Sequence, residues 1–167
     1  LGNVFHNKGA IGCFVKMKAR EAAAQSPTDC RRAKSVKFLF VGAHMAAHVK
    51  NTDARDSDFW RIASELEAQA PPNFLPRKNP GEDSTGTLLL DSTDRIFFCG
   101  DLNYRLDLSR EEVECTLKEM KEISERNDVD ERRRVEEMRQ RLLRFDQLRQ
   151  SVALERAFPG FSEGRIE

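Results

Sequence analysis

The chain has 167 residues, with 28 Lys and Arg balanced by 28 Asp and Glu for a formal net charge of zero. That balance argues against a broad electrostatic grip on nucleic acid, so a phosphate ligand has to be held by a few local cations. With 39% hydrophobic residues, no apolar run near the ~20 residues of a bilayer span and no signal-peptide pattern, the sequence reads as a cytoplasmic protein with one domain-sized core. Cys13, Cys30, Cys99 and Cys115 lack C-x-x-C spacing and read as reduced thiols.

Residues 9–18 alternate as a strand, and residues 36–43 form its expected antiparallel partner. Residues 19–34, polar and too long for a tight hairpin, read as a surface loop. Residues 53–70 predict a helix from the spacing of Phe59, Ile62, Ala63 and Leu66, with acidic residues at its positive end. The proline-rich stretch 71–86 cannot continue that helix and reads as a second surface loop, mobile in character. Thr87 to Leu90 reads as a short ordered piece, and residues 95–99 as a strand. Ser109-Arg-Glu-Glu112 is a capping-box pattern opening a helix with Val113, Leu117, Met120 and Ile123 on one stripe. A further helix is expected over about residues 130–150, and its Arg132-Arg-Arg134 run, set among acidic residues, reads as a solvated face.

Two strand ends carry chemistry. The apolar run from Arg95 ends in Gly100-Asp-Leu-Asn103, so Asp101 and Asn103, at i and i+2, are expected to project together from the carboxyl end of a strand. Asp101 suits a water-orienting carboxylate and Asn103 a hydrogen-bond donor to a phosphoryl oxygen; the plainer alternative is a strand-to-loop turn built of turn-forming residues. The strand at residues 37–42 leads into His44 and His48, two of the 3 histidines. At i and i+4 they share a face if the segment is helical, which suits a metal, but no third ligand accompanies them. Phosphate or proton handling by His44 is the preferred reading, and for His48 a partly buried structural imidazole stands beside a functional one.

Five blocks, in order, resemble the inositol polyphosphate 5-phosphatases of the endonuclease/exonuclease/phosphatase superfamily. Asn7-Lys-Gly-Ala-Ile-Gly12 resembles the family's N-K-G-[GA]-[VI], Ala43-His-Met-Ala-Ala-His48 its S-H-L-A-A-H, and Arg55-Asp-Ser-Asp-Phe59 its R-N-x-D-[YF]. Gly100-Asp-Leu-Asn-Tyr-Arg105 matches G-D-[LF]-N-Y-R outright. Phe145-Asp-Gln-Leu148 and Phe158-Pro-Gly-Phe-Ser-Glu-Gly164 resemble Y-D-Q-L and F-x-G-F-x-E-G. Departures fall at Ala43, Met45 and Asp56, where the family has serine, leucine and asparagine. The family's metal-binding glutamate and its aspartate-histidine element have no counterpart here, so residues 1–167 correspond to the central part of one catalytic domain.

The resemblance implies an α/β fold, a fragment of the superfamily's four-layered α/β sandwich, and magnesium-dependent hydrolysis of the 5-phosphate of phosphoinositides or soluble inositol polyphosphates. It implies catalytic roles for Asp101, Asn103 and His44 and substrate contacts from Asn7, Lys8, His48 and Arg105. Asn7 and Lys8 are expected at a second phosphate of the headgroup, against the alternative of a solvent-exposed turn lysine. Arg105 is read as a structural ion-pair partner in preference to a phosphate contact. Mg2+ is the expected cofactor, with Asp101 as the one metal ligand within the chain. A phosphoinositide or inositol polyphosphate is the expected partner, with peripheral membrane contact and no nucleic acid. The alternatives are another phosphodiesterase or nuclease of the superfamily, or a catalytically silent phosphoinositide-binding module.

Overall fold

In the computed structural model, which describes residues 8–18, 35–77, 86–125 and 128–163, a three-stranded mixed sheet forms where the alternating apolar segments lie. Strand β1 (Gly9–Lys18) pairs antiparallel with β2 (Ser35–His44), and β2 pairs parallel with β3 (Arg95–Asp101), in the order β1-β2-β3. The surface loop expected over residues 19–34 lies outside the described residues.

The chain divides into two compact units, residues 1–46 with 57–102 and residues 47–56 with 103–167. One of the three crossings between them falls within helix α1 (Thr52–Ala68). The first unit holds the sheet. Leu39, Val41 and Ala43, alternate residues of β2, are buried together with Phe59, Ile62 and Ala63 of α1, which is the two-residue period of a strand meeting the helical stripe read from the sequence. Phe59 meets Phe98 of β3 at 5.7 Å between ring centroids. On the opposite face of the sheet, Phe38, Phe40 and Phe97 stack in a row across β2 and β3, and Phe40 and Phe97 remain exposed.

The described part of the proline-rich stretch, residues 71–77, is irregular and mostly exposed, with one apolar anchor. Phe74 is buried against Phe14 of β1, and its N–H closes a turn onto the Pro71 carbonyl. Residues 78–85 lie outside the described residues. Helix α2 (Thr87–Ser92) then starts from Gly86 in the left-handed conformation (φ 80°), without a cap from its own side chain. A Cβ on Gly86 would stand 2.8 Å from the Ala63 Cβ and 2.9 Å from the Ser64 nitrogen, so α2 approaches α1 through a glycine. The buried Glu67 carboxylate of α1 accepts from the Leu89 N–H, capping α2 from another helix.

The second unit is helical. Helix α3 (Arg110–Ser124) opens with the expected capping box: Ser109 accepts from the Glu112 N–H, and Glu112 accepts from the Ser109 N–H. The helix expected over residues 130–150 is two helices, α4 (Val129–Leu143) and α5 (Gln147–Ala153). Hydrophobic spacing continues through the break, but Asp146 caps α5 by accepting from the Arg149 N–H. Phe145 and Gln147 turn their backbone groups outward to Asp107 and Arg105, giving an antiparallel bridge between Leu106 and Asp146. Backbone pairing with another segment outweighs two more turns of helix. Arg133 and Arg134 of α4 pair with Glu137 and Glu119 on exposed surface, in keeping with a solvated face.

Candidate active site

In the first unit, parallel register sets the site. His44 and Asp101 are the last residues of β2 and β3 and are register partners, so two parallel strands deliver an imidazole and a carboxylate side by side at their carboxyl ends. His44 Nε2 lies 3.7 Å from Asp101 Oδ2, with side chains 40% and 67% exposed: accessible to a substrate, yet anchored on a rigid sheet. Lys8, just before β1, places Nζ 2.5 Å from the same His44 nitrogen. An ammonium only donates, so Nε2 is the acceptor and the ring proton belongs on Nδ1. The Asp101 carbonyl accepts from the Met45 N–H, and the Ala46 N–H donates to Asp58, tying the turn after β2 to β3 and to α1.

Gly100 makes this approach possible. Its φ is 117°, and a Cβ there would lie 2.1 Å from the Ala43 carbonyl oxygen, closer than any side chain tolerates. The glycine before the aspartate is a packing requirement of the parallel pair.

The segment after β2 is not helical. Residues 45–47 are irregular and His48 has φ 73°, so His44 and His48 do not share a helix face and the i, i+4 metal geometry is absent. His48 is exposed, which disfavours the structural of its two readings, and its carbonyl accepts from buried Arg55. Asn7 lies outside the described residues.

The second unit holds the rest of the conspicuous block. Extended backbone ends at Asp101, and Asn103 has φ 59°, so the i, i+2 alignment expected of a continuing strand does not apply; asparagine is among the few residues that enter this region readily. Asn103 is buried, and its Oδ1 accepts from Arg105 Nη2 at 2.9 Å. Arg105 therefore orients an amide, where an ion pair was expected. Tyr104 donates its hydroxyl to Asp56 at 2.6 Å, packs edge-on against Phe158 and carries the Arg55 guanidinium over its ring. Burial and the hydrogen bond to Asp56 hold the Tyr104 phenol well above its usual pKa.

Arg55 and Gln147 are the residues to which sequence reasoning gave no role. Arg55 is fully buried and donates to the carbonyls of His48 (2.7 Å) and Val49 (3.2 Å), to Thr52 and to Gln147 Oε1 (2.5 Å). Their signal was present, since each sits in one of the five family blocks at the start of an amphipathic helix, but nothing in either segment names the other as its partner.

Among the described residues, no three His, Cys, Asp or Glu side chains gather as a metal set. Near the strand ends, Asp101 offers an accessible carboxylate oxygen, a hard donor of the kind divalent cations take.

The profile of endonuclease/exonuclease/phosphatase family 2 matches residues 1–167. Synaptojanin-2 of Rattus norvegicus is 28% identical over 166 residues, 99% of this chain and 8% of the relative. The type II inositol 1,4,5-trisphosphate 5-phosphatase of Mus musculus is 29% identical over 132 residues, 79% of this chain and 11% of the relative. The phosphatidylinositol polyphosphate 5-phosphatase type IV of Mus musculus is 31% identical over 129 residues, 77% of this chain and 17% of the relative. Among solved structures, the inositol polyphosphate 5-phosphatase domain of SPsynaptojanin, in complex with inositol (1,4)-bisphosphate and calcium ion, aligns with TM-score 0.56 and 24% identity over 96% of this chain and 33% of that one. The chain thus spans a third of that domain and 8 to 17% of these curated relatives. An α/β fragment with an imidazole and a carboxylate at adjacent strand ends defines the class, and the chain belongs to endonuclease/exonuclease/phosphatase family 2. Within that family its likeness is to part of the inositol polyphosphate 5-phosphatase domain.

Proposed function

We propose that the protein hydrolyses the 5-phosphate of inositol phosphates or phosphoinositides with magnesium as cofactor. The observation that carries this reading is the cluster at the ends of β2 and β3, where the His44 imidazole bonds Lys8 and lies 3.7 Å from the Asp101 carboxylate. The relatives' names supply the substrate class. Asp101 orients the attacking water and takes its proton. Lys8 and His44, which share one hydrogen bond, bring a cation and a polar ring to the phosphoryl oxygens; Lys8 thereby serves the reacting phosphate, where the sequence reading had it at a second one. By the family resemblance, Asn103, whose Oδ1 accepts from Arg105, is the donor to a phosphoryl oxygen. Magnesium, when bound, supplies Lewis-acid neutralisation of phosphate charge, with Asp101 as this chain's ligand.

The test is phosphate release from inositol 1,4,5-trisphosphate by the full-length protein in magnesium buffer. Asp101→Asn is expected to lower kcat by roughly 100-fold or more, the range in which a positioned acid or base contributes. Lys8→Ala is expected to reduce kcat as well as raise KM, because its ammonium contacts the catalytic imidazole. Wild-type rates in both variants would leave the Gly100 to Asn103 block as a turn and nothing more.

A further inference from the structure

We propose that Gln147 is a positioning residue for this reaction, holding Asn103 and the His48 turn through Arg105 and Arg55. The role rests on the reading of Asn103 as a phosphoryl contact. The Gln147 side chain is buried, and each end of its amide is used. Its Oε1 accepts from the Arg105 backbone N–H at 3.1 Å and from Arg55 Nη2, while its Nε2 donates to the Val49 carbonyl at 2.9 Å. Its own backbone N–H donates to the Arg105 carbonyl at 3.0 Å. Gln147 therefore pairs with both backbone groups of Arg105, the residue whose guanidinium fixes the Asn103 amide.

The two segments it joins each turn on a non-glycine residue with positive φ, Asn103 at 59° and His48 at 73°. A left-handed turn at a non-glycine residue is kept in one geometry by the groups bonded around it. Arg55 provides this at His48 by binding its carbonyl, and Gln147 provides it at Asn103 by clamping Arg105. A glutamine at the first position of α5 would ordinarily be solvated, since α5 already has its cap in Asp146. Its burial is explained by the two segments it bridges.

The experiment uses the full-length protein and two variants that separate the ends of the amide. Gln147→Glu keeps an oxygen for Arg55 and the Arg105 N–H and loses the donor to Val49; Gln147→Leu keeps the volume and loses both ends. Both are expected to lower Tm. Gln147→Leu is expected to lower kcat for inositol 1,4,5-trisphosphate by about 10- to 100-fold at little changed KM, the penalty of displacing a reacting contact by about 1 Å, and Gln147→Glu to restore most of it. A Ser109→Ala control at the α3 cap lowers stability without touching this network. If kcat per folded molecule holds in Gln147→Leu while Asn103→Ala abolishes turnover, Gln147 is structural and the inference is overturned. The Asn103 side-chain amide resonances give a substrate-free readout. They are expected to shift in Gln147→Leu and hold in Gln147→Glu; unchanged resonances in both overturn the inference even if the wild-type protein hydrolyses no inositol phosphate, an outcome that would by itself refute only the proposed function.

Discussion

Single residues at this site are governed by close packing as much as by charge. Gly100 is required because β3 presses its backbone onto Ala43, leaving no volume for a Cβ and demanding a φ that L side chains avoid. Gly100→Ala is therefore expected to destabilise the chain by several kcal/mol, of the order seen when a strained conformation and overpacking coincide. Thermal melts beside a Gly9→Ala control, a glycine with open space around its Cβ position, check this. Tyr104 is a second case. Its folded pKa is raised by burial and by the Asp56 contact, so the stability it contributes is fully present below about pH 10, the ordinary tyrosine value, and is lost as pH rises beyond it, where the unfolded chain ionises and the folded one does not. Tyr104 is the sole tyrosine of the sequence, so phenolate absorbance reports it alone. The expected titration is a delayed rise coincident with unfolding, and a reversible midpoint near 10 in the folded chain would show the Asp56 contact to be absent.

Elements are ended here by particular side chains. Ser109 and Glu112 start α3 through reciprocal hydrogen bonds, and the backbone contact from Ser109 holds the Glu112 carboxyl below its usual pKa. A depressed carboxyl pKa contributes stability above the unfolded value and loses it as pH falls, so hydrogen exchange in the first turn of α3 is expected to accelerate below about pH 4. Ser109→Ala is expected to cost about 1 kcal/mol, the usual worth of an N-cap, with faster exchange confined to α3. The break between α4 and α5 has the opposite origin. The apolar spacing of Met138, Leu142 and Phe145 reads straight through it, and the interruption comes from Asp107 and Arg105, which take the backbone groups of Phe145 and Gln147.

Over these 167 residues the zero net charge bears on the choice between the proposed headgroup chemistry and nuclease chemistry. A nuclease neutralises many phosphates and loses affinity steeply with salt, whereas a pocket for one headgroup has few counterions to release. The full-length protein is accordingly expected to remove the 5-phosphate from inositol 1,4,5-trisphosphate with KM changing only a few-fold between 50 and 200 mM salt, and to leave duplex DNA intact. DNA cleavage that His44→Ala abolishes, with the inositol substrate untouched, would place the protein with the nucleases of its superfamily.

What could be read without coordinates was whatever depends on neighbours along the chain. The β1–β2 pairing, the α3 cap and the strand leading into Gly100-Asp-Leu-Asn-Tyr-Arg105 follow from two-residue and 3.6-residue periods and from short-range capping chemistry, all local in sequence. The five ordered blocks likewise carried the family. Tertiary structure decided what long-range partners impose: the register that sets His44 beside Asp101, Lys8 on the histidine, a left-handed Asn103 in place of a continuing strand, and Arg55 bonded to a glutamine 92 residues away. Periodicity says which face of an element is buried but not which polar group across the core will meet a buried arginine, because that depends on how distant segments pack.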